Sequence, residues 1–173
     1  LPDGTIPDGV EVLGGTVTEA KVSGQYMGSQ LSFAGQAQYE NGSVKVKDTQ
    51  VDNIHGFASF TDAEVLLFTD AEAAGQQAHA EGKVCYDTDT PYLDLTVSSD
   101  SLDPAKVLKD IPYEGAASLK AHITGPVKDP VIDGDVRVAS GEANGIPFTN
   151  ARAHVRYEGD RVSVQDVSAG AFG

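Results

Sequence analysis

Four histidines and one cysteine are the side chains of this 173-residue chain best suited to metal or nucleophilic chemistry. Their spacing works against both. His55, His79, His122 and His154 each fall in a different segment. None has a second His or Cys at the short interval that brings two metal ligands together. Cys85 lies in one alternating run with His79, six positions away, and reads as a packed strand thiol rather than a nucleophile. Asp87-Thr88-Asp89-Thr90 and Asp133-Gly134-Asp135 space carboxylates as calcium loops do, but lack the loop length and the closing bidentate Glu. Gly14-Gly15 and Gly141-Glu142-Ala143-Asn144-Gly145 follow strand-like runs and open no helix, so no phosphate cradle is expected. No catalytic residue, metal or cofactor is expected. The chain reads as a non-enzyme, with a hydrolase the least supported class.

Charge narrows the partners. The chain carries 26 acidic and 12 basic side chains, for a formal net charge of −14. Phosphate-backbone binding needs a basic face, so nucleic acid is excluded as a partner. Overall electrostatic docking onto anionic membranes is disfavoured for the same reason. With 40% hydrophobic and 22% charged residues, the composition fits a folded chain. The stretch contains no basic-apolar leader and no 18-residue apolar run, so no targeting or membrane-spanning element is expected within it.

The elements that would position any site are strands. Leu31, Phe33, Gly35, Ala37 and Tyr39 share one face of an alternating run, with Ser32, Gln36, Gln38 and Glu40 on the other. The same period of two runs through Ala78–Tyr86, Leu93–Val97, Ala117–Ile123, Ile132–Val138, Ala151–Tyr157 and Val162–Val164. Each is the signature of a half-buried antiparallel strand. Glu40-Asn41-Gly42 and Glu158-Gly159-Asp160 predict hairpin turns. Val65-Leu66-Leu67-Phe68 is apolar on both faces and predicts a more buried strand. One short helix is predicted near 103–109, with Asp103 as its cap, Pro104 at its first position and Ile111-Pro112 ending it.

An internal repeat organises these elements. The phrase from Tyr39 to Asp48 matches the phrase from Tyr157 to Asp166 without a gap, with Tyr, Glu, two Val and Asp identical. Upstream, Val12-Leu13-Gly14-Gly15-Thr16-Val17 matches Val131-Ile132-Asp133-Gly134-Asp135-Val136. The predicted organisation is a first repeat over 1–128, holding the helical insert, and the start of a second over 129–173. Strands with one apolar face and almost no helix to cover it must shelter that face among themselves. A sandwich, a closed barrel or a sheet curled into a groove would each do so. Gly and Ala at many apolar positions favour strong curvature.

The stretch Gly125-Pro126-Val127-Lys128-Asp129-Pro130-Val131-Ile132-Asp133-Gly134-Asp135-Val136-Arg137-Val138 resembles a recurring phrase of the TamB/AsmA-like family. Asn144-Gly145-Ile146-Pro147-Phe148-Thr149-Asn150-Ala151 and the hairpin around Tyr157 and Val162 extend the likeness, and Leu102-Asp103-Pro104-Ala105-Lys106-Val107-Leu108 resembles the family's helical insert. The resemblance implies an all-β fold of curled antiparallel sheets forming an elongated apolar groove. It also implies a periplasmic stretch of a protein anchored in the inner membrane. The expected function is bridge-like phospholipid transport between inner and outer membranes, with acyl chains lying in the groove. An outer-membrane barrel protein is the expected partner of regions outside this stretch. The groove residues expected are Leu93, Leu95, Val97, Leu119, Ile123, Val136, Val138, Val155, Val162 and Val164. Two other readings stay open: an assembly module that receives strands of outer-membrane proteins, and a structural β-sandwich array without ligand.

Overall fold

The computed structural model describes residues 10–28, 30–46, 49–73, 75–86, 90–103, 113–114, 116–143, 145–159 and 161–171. The period-two segments become strands in chain order: β1 (Val10–Met27), β2 (Gln30–Val46), β3 (Thr49–Thr61), β4 (Glu64–Ala73), β5 (Gln76–Cys85), β6 (Tyr92–Leu102), β7 (Tyr113–Glu114), β8 (Ala117–Pro126), β9 (Val131–Ala143), β10 (Ile146–Glu158) and β11 (Arg161–Ala171). All pairings are antiparallel. Ten strands lie side by side in the order of the chain, and the two-residue β7 pairs with the far end of β9. The ladder runs without interruption from β8 into β9 across the turn at 127–130. Among the described residues there is no helix. The helix predicted near 103–109 falls outside them, apart from Asp103, which is not helical.

This single sheet neither folds over into a sandwich nor closes into a barrel. Extensive contacts join only strands that are neighbours in it. The accessible surface is 11694 Å², against about 8,000 Å² expected for a compact monomer of this mass. Among the described residues the buried apolar side chains are all alanines: Ala58, Ala117 and Ala121. The fold therefore has no packed core of large side chains.

Shelter differs between the two faces nonetheless. Along β4, Val65, Leu67 and Thr69 are half-buried while Leu66, Phe68 and Asp70 are exposed. Among the described residues no second layer produces that asymmetry. A sheet curved toward its apolar side produces it, because side chains on the concave side converge. Leu66 and Phe68, at 48% and 53% exposure, overturn the expectation of a more buried strand. A one-layer sheet has one sheltered face only, so half of an all-apolar run must face outward.

The bends have local causes. Asn41, Asn53, Asn150 and Asp166 adopt left-handed conformations, with φ between 51° and 54°. Asn41, Asn53 and Asp166 sit at or within breaks of register. Asn and Asp tolerate that conformation better than other side chains. A residue inserted there bends its strand and increases its twist. Gly82 answers a different need. At φ 139° it lies so close to β6 that a Cβ would stand 2.2 Å from the Asp94 carbonyl oxygen.

One predicted hairpin forms and the other does not. Gly159 turns β10 into β11, with Glu158 paired to Arg161. Asn41, the counterpart of Gly159 in the repeat, has the same φ of 54°. The chain there does not reverse. β2 continues to Val46, and Val44 pairs with Val12 on one side and Val51 on the other.

Candidate functional site: the apolar face

Side chains of directly paired residues in an antiparallel ladder lie on the same face, so the register assigns each residue to a side. Leu95 pairs with Ile123 and Ile123 with Ile132. Val136 stands between Leu119 and Ala153. Val155 pairs with Val164, and Tyr157 with Val162. Val138 pairs with Ala117, and Leu93 and Val97 flank Leu95 on the same strand. All ten residues predicted to line a groove therefore share one face, across β6, β8, β9, β10 and β11. Eight are half-buried. Val162 and Val164, on the edge strand β11, are exposed at 65% and 56%.

The same face continues over the first half of the chain, which that set of ten omits. Gly82 pairs with both Leu95 and Leu67, Leu67 with Ala58, Ala58 with Ala37, and Ala37 with Ala20. A second row runs Val22, Gly35, Phe60, Val65, Val84 and Leu93. The signal for it was the alternation from Leu31 to Tyr39 and from Ala78 to Tyr86. The result is one apolar surface crossing ten strands. Its small residues sit where the strands approach closely. A Cβ on Gly35 would collide with the Phe60 ring at 2.5 Å, and one on Gly134 would meet the Ala121 Cβ at 2.9 Å.

Polar atoms enter this face near one end. Gln76 is 7% exposed and Ser99 6%. The Gln76 amide donates to the Asp103 carbonyl at 3.3 Å, and its carbonyl accepts from the Asp103 amide. Ser99 Oγ donates to the Gln77 carbonyl at 2.6 Å. Both side chains use their polar groups on backbone, so burial leaves little unsatisfied.

The opposite face carries the four histidines, and the register draws them to carboxylates. His55 and His79 lie on either side of Asp70, at 4.0 Å and 2.9 Å. His122 Nε2 is 2.7 Å from Asp94. His154 reaches Asp135 through Nδ1 at 3.2 Å and Asp133 through Nε2 at 3.3 Å. The hydrogen bond to Asp135 and the negative charge around it raise the His154 pKa above the ordinary histidine value. Sequence spacing separated His55 from His79, and pairing through β4 brings them to one residue. Among the described residues no group of three or more His, Cys, Asp or Glu has metal-holding geometry. Cys85 is half-buried, with Sγ 3.8 Å from Glu64 Oε2.

The family model of the TamB C-terminal domain matches residues 64–169. The chain belongs to the TamB C-terminal domain family. The match runs from the start of β4 into β11 and contains all ten predicted groove residues. β1 to β3 lie outside it yet extend the same apolar surface. Comparison with curated proteins and with solved structures found no match. TamB proteins belong to the cell envelope, and a role in envelope biogenesis follows from membership. Among the described residues no helix is long and apolar enough to cross a membrane.

Proposed function

We propose that this TamB domain is a segment of a periplasmic phospholipid conduit, in which acyl chains travel along the apolar face of the sheet. One observation carries the reading: an apolar surface continuous over ten strands, half-sheltered on the inner strands, exposed on the edge strands β1 and β11, and covered by no second layer among the described residues. Such a surface is rarely left to water on a soluble protein. An acyl chain would bury methylenes against it at about 0.8 kcal/mol each. That attraction has no preferred direction, so a chain can slide without a site that holds it fixed. The domain contributes surface and not catalysis. Its parent would be anchored in the inner membrane, with an outer-membrane barrel protein engaged by regions elsewhere.

The test uses two consecutive leucines of β4, whose side chains point to opposite faces. Leu67 faces the apolar side and Leu66 the outside. A photo-crosslinking side chain at Leu67 of the full-length parent in membranes should capture phospholipid, and one at Leu66 should not. Equal capture at both, or none at either, overturns the reading.

A second reading rests on the edges. Among the described residues β1 pairs only with β2 and β11 only with β10, so each has one side without a described partner. Strands of outer-membrane proteins could add there. A crosslinker at Val167 in β11 that captures nascent polypeptide, with none capturing lipid at Leu67, would favour it.

A further inference from the structure

The charge of this chain is unevenly spread. Residues 1–116 hold 19 acidic and 6 basic side chains, a net of −13, and residues 117–173 hold 7 and 6, a net of −1. All four arginines lie in the second part. Two of them, Arg137 on β9 and Arg152 on β10, are direct cross-strand partners on the outer face. Both are exposed. Like charges placed opposite each other destabilise a sheet. A chain with so many carboxylates could place one beside each guanidinium, as it does for Arg156, which binds Asp133 at 3.0 Å and Glu158 at 3.0 Å. Among the described residues neither Arg137 nor Arg152 has an ion pair.

The neighbouring acids are largely occupied. Asp135 and Asp133 are engaged by His154, and Asp133 also by Arg156. Asp166 borders the same shallow depression of about 230 Å³ but makes no ion pair with either guanidinium. Serines extend the row at both ends, since Ser118 pairs with Arg137 and Ser168 with Arg152.

We propose that the Arg137–Arg152 pair is a binding site for a phosphate-type oxyanion. Adjacent residues in a ladder have Cβ atoms about 5 Å apart, close enough for two guanidinium forks to converge on one anion. Each fork offers two parallel N–H donors matched to phosphate oxygens. The bound anion cancels the repulsion that the empty pair carries. The site lies on the face opposite the apolar surface, so it stands independently of the conduit reading. Its anion is either free phosphate or the phosphodiester of an anionic lipid headgroup.

The test follows the arginine Nε–Hε resonances of the chain during titration with inorganic phosphate at constant ionic strength. Arg137 and Arg152 should shift saturably, and the exposed Arg161 should not. R137Q and R152Q should each weaken binding about tenfold or more, and circular dichroism should show the sheet unchanged. R152K keeps the charge without the fork and should still lose severalfold, which a diffuse electrostatic patch would not. Phosphatidylglycerol vesicles, with phosphatidylcholine vesicles as control, separate the sources. Binding that R152Q abolishes assigns a headgroup, and phosphate saturation without vesicle binding assigns the free anion. If all arginines shift together without saturating and vesicle binding is indifferent to R137Q and R152Q, the proposal is wrong.

Discussion

The two faces of this sheet hold themselves in order by different means. On the apolar face the buried apolar side chains are the smallest, Ala58, Ala117 and Ala121, and large apolar residues such as Leu95 and Val136 stay partly open. On the outer face order comes from cross-strand pairs, with His79 on Asp70, His122 on Asp94 and His154 on Asp133 and Asp135. The apolar face is thus sheltered without being packed. In an ordinary core, removing methylenes opens a cavity and costs more than the lost transfer free energy. Here no cavity can form beside a residue that already borders open space. What the apolar face cannot tolerate is added volume where backbones nearly touch.

This gives an inverted order of mutational effects. The largest loss is expected for Gly82→Ala. Its positive φ is unfavourable for any side chain, and the new Cβ would meet backbone atoms of β6 at 2.2 and 2.8 Å. About 3 kcal/mol of stability should disappear in a denaturant melt. Leu95→Ala, which removes far more volume, should cost only about 1 kcal/mol, since part of the side chain is already in contact with solvent. If Leu95→Ala costs as much as a buried leucine, about 3 kcal/mol or more, the face is packed in solution and the comparison fails.

Leu95→Asp and Val136→Asp sharpen the same point. In a sealed core either would bury an unpaired charge and unfold the domain. On a half-open face the carboxylate keeps part of its water. Both variants should melt cooperatively, about 1–2 kcal/mol below the unmutated chain, while lipid crosslinking from Leu67 in the parent falls away. Collapse of both folds would restore the packed sandwich that the sequence left open.

Much of this arrangement is readable from residue order. Alternation assigned Leu93, Leu95, Leu119, Val136 and their partners to one side, and the ladders agree. Turn chemistry was less decisive. Asn41 and Gly159 have the same φ of 54° and nearly the same neighbours, yet one is absorbed inside β2 and the other reverses the chain. The local conformation was legible, but the decision to reverse belongs to the partners. Beyond Asn41, Val44 finds Val12 and Val51 on both sides, which rewards continuing the strand. The convergence of His55 and His79 on Asp70, and of Arg137 on Arg152, was equally hidden. Contacts across a sheet depend on register, and register is a property of two segments at once.

The smallest expected effect concerns the outer face and is read through pH. His154 faces Asp133 and Asp135 from β9, Gln165 and Ser163 from β11, and Arg152 and Arg156 on its own strand. The hydrogen bond to Asp135 is the main reason its pKa is raised; desolvation opposes it, and the charges of Asp133 and Asp135 add to it. A group whose pKa rises on folding binds its proton more tightly in the folded state. Its contribution to stability is therefore complete below the unfolded histidine value, near 6.5, and fades as pH climbs through the higher folded value. The unmutated chain should gain melting temperature between pH 8.5 and pH 5.5 by more than His154→Gln does, and the two curves should converge at the alkaline end. The site is exposed, so the separation should be small and should shrink further in high salt. Parallel curves across the whole range would mean that the Asp133–His154–Asp135 bridge does not form in solution. The outer face would then lose one of its side-chain ties between β9 and β10, leaving the Arg156–Asp133 pair beside the backbone ladder across that seam.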